Sequence, residues 1–212
     1  MCFMARDFKL KTMKKVLSLV LTAAAFVAVA QPKKAAKMTP VLEEGYYVSG
    51  KNDTVRGEVQ TNPEDATELY KQFSFRPGKG GKVMPVSPTK AKAYGYGDKH
   101  YVQITCDEGT IYVERLAAGR LNFFKYRFNG KIDGLPAVET YYYMQDTRAE
   151  GADMAQLREI KKISNKFYKR DLKPYLRDQL MIWTDMDKFV FDEAKVVAAI
   201  NEFNKFYTVT AE

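Results

Sequence analysis

The chain has 212 residues, with 34 Lys or Arg, 26 Asp or Glu, one histidine and two cysteines. Beyond the first thirty residues only His100 and Cys106 are soft ligands, too few for a zinc site, and no cofactor motif is present, so we expect neither metal nor cofactor. Basic residues are scattered among acidic ones without a stripe, which argues against nucleic acid as a partner.

The first thirty residues predict a secretory signal peptide. Lys14 and Lys15 precede an apolar run over 16–26, and small residues end the segment at Ala30. This is the order of a charged region, an apolar region and an A-x-A cleavage site. The apolar run is shorter than the roughly 20 residues needed to cross a bilayer. We therefore expect cleavage after Ala30, a periplasmic or secreted location, and no transmembrane segment in the mature chain.

Two properties of the start of the chain bear on its processing. Met13 stands directly before Lys14-Lys15 and has the position of a normal start, so either Met1 or Met13 is compatible with the pattern. Gln31 follows the cleavage site where a lipoprotein would need cysteine, so we do not expect a lipid anchor.

The remaining 182 residues carry a net charge of +4, because residues 1–30 contain five Lys or Arg and one Asp. That balance allows weak contact with an anionic surface.

The mature chain divides into three parts. Residues 31–41 are lysine-rich and bracketed by prolines, which predicts a flexible leader. Residues 42–146 have strand-like patterns, and residues 147–212 have helical periodicity. We expect the last two parts to fold as one unit, since a chain of this size buries roughly 70 per cent of its unfolded surface in a single core.

The first strand signal is a hairpin over 45–60. Two runs rich in Val and Tyr flank the turn residues Lys51-Asn52-Asp53. Gly57 lies between Val55 and Val59 on one face, where a bulge or a close backbone approach explains it.

Further strand candidates follow at intervals of about ten residues, with turn residues between them. This spacing predicts an antiparallel meander, a sandwich or an open barrel. The candidates are 69–75, 82–86, 91–95, 101–106, 110–116, 121–128 and 137–144.

The pattern becomes helical after Gln145. Met154, Leu157, Ile160, Ile163 and Phe167 recur at helical spacing. A second short helix is predicted to start at Asp171-Leu172-Lys173-Pro174, residues 183–187 read as a connector, and a final helix opens at 191–192. The sequence therefore predicts an α+β fold in which a β-rich part precedes a helical segment.

The motif G-Y-Y-V-x-x-x-N-D-T-V-x-G-x-V at 45–59 resembles the opening hairpin of a group of exported Bacteroidetes proteins. Val86-Ser87-Pro88 and Tyr94-Gly95-Tyr96 continue the resemblance, which covers nearly the whole mature chain. The resemblance implies a location in the envelope and a β-then-α plan, and it implies no reaction.

Five residues are candidates for ligand contact. Tyr94 and Tyr96 alternate with Gly95 and Gly97, and small glycines leave ring faces open for stacking on a carbohydrate. Lys79 and Lys82 lie in a glycine-rich stretch that fails as a phosphate loop, because Arg76 replaces its first glycine and Val83 its Ser or Thr. His100 follows a predicted turn. For each of them a packing or turn role competes with the binding role.

The sequence contains no recognisable catalytic unit. No G-x-S-x-G motif accompanies His100, and Cys106 reads as a buried small side chain. Asp98, Asp107 and Glu108 lie near turns and would support a hydrolase only if two of them met in one cleft. We expect a non-enzymatic protein that binds an envelope protein or glycan, with no catalytic residues assigned. A hydrolase acting on envelope polysaccharide through paired carboxylates is the alternative.

Overall fold

The computed structural model describes residues 39–65, 67–147 and 160–208. The predicted signal peptide and nearly all of the predicted leader lie outside these residues. Ten antiparallel strands form a single open sheet, followed by helices in the C-terminal part. The β-rich part and the C-terminal helical segment are therefore confirmed, whereas a sandwich or a barrel is not.

The sheet consists of two meanders that meet in its middle, where β1 pairs with β5. One meander runs outward from β1 to β4, and the other runs outward from β5 to β10. A 3-10 turn, Glu68–Tyr70, lies before β3, at the start of the strand predicted over 69–75. The strands are β1 Val41–Ser49, β2 Thr54–Thr61, β3 Phe73–Arg76, β4 Met84–Val86, β5 Ala91–Tyr96, β6 Lys99–Cys106, β7 Gly109–Ala117, β8 Leu121–Ile132, β9 Leu135–Asp146 and β10 Lys161–Ile163.

The first meander curls over its own inner face. Phe73 of β3 stacks on Tyr94 of β5 with ring centroids 4.0 Å apart, although β2 and β1 lie between these strands. In a flat sheet three strand spacings would separate β3 and β5 by about 14 Å. Gly57 allows the bend, because an added Cβ there would lie 2.3 Å from the Arg76 carbonyl and 2.5 Å from the Phe75 ring. The predicted close backbone approach at Gly57 is confirmed.

The curl encloses an aromatic first core. Tyr94 is fully buried, and its hydroxyl donates a hydrogen bond of 2.6 Å to the Leu69 carbonyl. Tyr112 donates at 3.0 Å to the carbonyls of both Ser87 and Ala91. Both of these hydroxyls therefore have a partner, which removes the cost of burying them unpaired.

The helices cover a second, more aliphatic core. They are α1 Tyr168–Leu176, α2 Leu180–Asp185 and α3 Glu193–Thr208, with a 3-10 turn at Met186–Lys188. Adjacent side chains of a strand point to opposite faces, and accordingly Phe124 belongs to the first core and Phe123 to the second. No helix among the described residues is long and apolar enough to span a membrane.

Asn204 joins α3 to the turn between β7 and β8. Its side-chain oxygen accepts a hydrogen bond of 2.8 Å from the Leu121 amide. Its amide nitrogen donates to the carbonyls of Ala118 at 3.2 Å and Leu121 at 2.9 Å. Gly119 makes room for this contact, because an added Cβ would lie 2.6 Å from the Asn204 side chain.

Three predictions for the helical part are wrong in detail. Residues 161–163, predicted as helical, form β10, because Ile163 pairs with Tyr142 of β9 and is buried in the second core. Residues 183–187, predicted as a connector, belong to α2 and the following 3-10 turn. α1 begins at Tyr168, so Pro174 lies inside the helix rather than in its first turn. The first part of the predicted helical pattern, residues 154–159, lies outside the described residues.

Candidate ligand-binding groove

A groove of about 420 Å³ lies where β1, β2, β5 and β6 meet. Tyr47 of β1 packs against the first core, so Tyr46 points to the opposite, outer face of the sheet. The loop between β3 and β4 contributes Gly78 and Lys79 to one wall. The groove is therefore built on the solvent side of the curled half of the sheet.

The register of four strands places the central side chains in one row. Arg56 of β2 pairs with Tyr46 of β1, Tyr46 with Gly95 of β5, and Gly95 with His100 of β6. Because Gly95 has no side chain, the Tyr46 ring crosses β5 and reaches the next strand. An added Cβ on Gly95 would lie 2.9 Å from the Tyr46 hydroxyl oxygen.

Tyr46 and His100 form a hydrogen-bonded pair at the centre of the groove. The Tyr46 hydroxyl is bonded to Nδ1 of His100, and the rings meet edge to face with centroids 5.8 Å apart. Burial raises the pKa of Tyr46, and the positive charge of Arg115 opposes that shift. The phenol is therefore a neutral hydrogen-bonding group at physiological pH, and both of its contacts hold the ring in place.

Cations outnumber available carboxylates in the groove. Arg56, Lys79 and Lys99 line it together with Glu44 and Glu58. Glu58 is already paired with Arg76, whose hydrogen bond lowers the pKa of Glu58. Among the described residues, none of the three lining cations is held in an ion pair. The groove therefore offers an anion three cations beside an aromatic pair.

The structure gathers three of the five predicted contact residues. His100 and Lys79 line the groove with exposed side chains. Tyr96 also borders the groove, but its side chain is buried in the first core and stacks on Tyr101. Tyr94 lies elsewhere, fully buried in the first core, so its ring face is covered by protein and not open for stacking. Lys82 is exposed on the β3–β4 loop and is not part of the groove lining.

Asp98 does not converge with the other two predicted carboxylates. Asp98 precedes β6 and Asp107 follows it, and an eight-residue strand separates its ends by about 25 Å. Glu108 is engaged separately. Desolvation alone would raise its pKa, but hydrogen bonds from Cys106, Lys162 and Tyr143 outweigh that effect and lower the pKa of Glu108 to about 2.

Cys106 is half-buried, and its sulfur lies 3.9 Å from the Tyr143 hydroxyl. Burial raises the pKa of the Cys106 thiol, which disfavours the reactive thiolate. Within the described residues, no group of three or more His, Cys, Asp or Glu side chains is arranged to hold a metal ion.

Sequence reasoning missed Tyr46 and Arg56. The predicted hairpin already places Arg56 opposite Tyr46, and that register was the available signal. The pairing of β1 with β5, which adds His100 to the row, has no local signal. No family model, curated protein or solved structure matches the chain.

Proposed function

We propose that the protein is an exported, non-enzymatic binding protein of the cell envelope, and that its groove binds an acidic saccharide. The observation that supports this is the Tyr46 ring, which lies across Gly95 and is hydrogen-bonded to His100. Three cations line the same groove, and within the described part of the chain none of them forms a close ion pair. Aromatic rings stack on the apolar face of a sugar, and Arg pairs with carboxylate or sulfate groups in a bidentate manner. The two features together match a sugar ring that carries a negative charge.

The proposed location rests on the N-terminal segment and on the resemblance of the 45–59 motif to exported proteins. Lys14-Lys15, the apolar run and Ala28-Val29-Ala30 have the order of a cleavable signal. A protein exported to the envelope meets polyanionic saccharides in abundance. The cationic groove and the predicted export are therefore mutually consistent.

A hydrolase acting on envelope polysaccharide is the competing function. Glu44 and Glu58 face each other across β1 and β2, and both line the groove. Hydrolysis through paired carboxylates needs one protonated carboxylic acid as the proton donor. The hydrogen bond from Arg76 lowers the pKa of Glu58 and keeps it ionised. Glu58 therefore cannot be that proton donor. Because the groove also offers cations and an aromatic ring, binding without hydrolysis is the function we favour.

The test is calorimetric titration of the chain from residue 31 onward with a galacturonic acid hexamer and, separately, with the neutral hexamer maltohexaose. We expect binding of the acidic hexamer alone. Arg56→Gln should weaken it about tenfold, the value of one good charged contact. Lys51→Gln removes an exposed cation from the β1–β2 turn and serves as the matched control, with binding unchanged.

Equal binding of the neutral hexamer, or full binding by Arg56→Gln, would contradict the proposal. Release of reducing ends during the titration would favour the hydrolase instead. A Glu44→Gln variant separates the two functions, since it removes a required carboxylate from a hydrolase and leaves Tyr46, His100 and the three cations of the binding site intact.

A further inference from the structure

Two large apolar side chains project from the start of α2. Leu180 is 71% exposed and Met181 is 81% exposed, whereas Ile182 beside them is buried in the second core. Large apolar groups at this exposure and in direct succession are unusual on a protein surface that contacts only water. They are independent of the ligand-binding groove, which lies on the outer face of strands β1, β2, β5 and β6.

Cations surround these apolar groups. A surface groove of about 630 Å³ is lined by Lys169, Arg170, Lys173 and Arg177 together with Leu180, Trp183 and Pro174, without an acidic residue. The Lys173 ammonium lies 3.6 Å from the centroid of the Trp183 ring. A neighbouring groove of about 500 Å³ shares Arg170 and adds Lys166 and Asp171, with Lys162, which is paired with Glu108, at its β10 side. The positive surface therefore continues from α1 to β10.

The acidic residues nearby are engaged with other groups. Asp171 accepts hydrogen bonds from Arg170 and from the Ser164 amide. Asp187 pairs with Lys173 at 2.7 Å, and Asp178 pairs with Arg120 at 3.0 Å. Arg170 and Arg177 keep 70% and 75% of their side chains exposed despite their contacts with aspartates. Their charges therefore remain available to an external anion.

We propose that this helical docking face, made of Leu180, Met181, Lys169, Arg170 and Arg177, binds the surface of a bilayer that contains anionic phospholipids. Exposed apolar tips that enter the headgroup region, flanked by Lys and Arg that pair with lipid phosphates, are the chemistry of interfacial membrane binding. The charge complementarity selects anionic over zwitterionic lipid. The apolar tips distinguish a bilayer from a soluble anion, which would contact the cations alone.

The test is co-sedimentation of the chain from residue 31 onward, which contains all the described residues, with phospholipid vesicles. One set contains phosphatidylcholine alone, and the other contains one third phosphatidylglycerol. We expect binding to the second set only. Arg170→Gln with Arg177→Gln should lower partitioning about thirtyfold, since each cation near an anionic surface contributes about fivefold. Higher salt should weaken binding for the same reason.

The apolar part is tested by Leu180→Asn with Met181→Asn, which should also lower partitioning into the anionic vesicles. Leu135→Asn is the matched control, because Leu135 is likewise 71% exposed but lies on the β8–β9 hairpin. Thermal melting by circular dichroism should be unchanged in all three variants, since every altered side chain is exposed. Equal binding to phosphatidylcholine alone, no binding to either set, or an equal loss with Leu135→Asn would overturn the proposal.

Discussion

The two cores are covered in different ways, and the difference determines where each candidate surface lies. The first core is closed by the curl of its own sheet and by tyrosine hydroxyls that end on backbone carbonyls. The second core is closed by helices, with Asn204 as the polar link. The curled half therefore leaves its outer strand face free for a groove. The helix-covered half instead presents helix surfaces, which carry the docking face.

The largest effect on the free energy of unfolding is expected at Tyr94, which closes the first core under the curled sheet. Tyr94→Ala removes a ring that stacks on Phe73 and Tyr101, and the cavity should cost about 3–5 kcal/mol of unfolding free energy. Tyr94→Phe keeps the ring and removes only the hydrogen bond to Leu69, which should cost about 1–2 kcal/mol. Urea unfolding measures both. Equal losses would mean that the hydroxyl, and not the stacking, stabilises the curl.

The next effect concerns the link between α3 and the sheet. Asn204→Ala leaves the Leu121 amide and two carbonyls without their partner, and should cost about 3 kcal/mol. Asn201→Ala, one turn earlier on the exposed face of the same helix, should change stability by less than about 0.5 kcal/mol. Denaturant midpoints measure the difference. Similar values for both variants would contradict the role of Asn204.

A smaller, pH-dependent effect is expected at Glu108. Its pKa is lowered to about 2 in the folded protein, so its stabilising contribution is fully present above its ordinary pKa of 4.5 and is lost as the pH falls toward 2. Glu108→Gln should therefore be less stable than the natural chain at pH 6, and the two should converge under acid conditions. The free energy of unfolding of both proteins, measured from pH 6 down to pH 2, tests the direction of this pH dependence. A difference in stability between the two proteins that persists near pH 2 would contradict this role of Glu108.

The smallest effect on stability is expected at Tyr46. Tyr46→Phe removes the hydroxyl bonded to His100 at a half-exposed site, which should cost less than about 1 kcal/mol. Binding of the galacturonic acid hexamer should weaken nevertheless, because His100 loses the partner that orients it. Tyr47→Phe makes the same change on the opposite face of β1 and should leave binding intact. A larger loss of binding in Tyr47→Phe would place the ligand elsewhere.

Local patterns predicted the elements whose partners are near in sequence. The β1–β2 hairpin follows from its alternation and turn residues, and Asn52 adopts the left-handed conformation that the turn requires, with φ of 71°. β10 was mistaken for helix because Ile160 and Ile163 have helical spacing. Residues 161–163 form a strand because they pair with the edge of β9. The sequence of this short segment alone does not predict that pairing.

Only some of the groove residues were predicted, because local sequence signals mark some of them and pairing between distant strands brings in the others. Tyr96, His100 and Lys79 are near glycines and turns, which are local signals. The row from Arg56 to His100 exists only because Tyr46 of β1 pairs with Gly95 of β5, about fifty residues later in the chain. Tyr94 and Tyr96 lie on the same face of β5 and both belong to the first core, where Phe73 of the curled β3 stacks on Tyr94. Long-range pairing, not composition, gathers the outer-face side chains of the groove.

Trp183 gives the docking face its own spectroscopic reporter. It is the sole tryptophan in the chain and lies beside Lys173 in the cationic groove of α1 and α2. Transfer of its indole from water into a headgroup layer should shift fluorescence emission to the blue without any attached dye. A sugar bound near Tyr46 should leave that emission unchanged, so one cuvette distinguishes occupancy of the two surfaces.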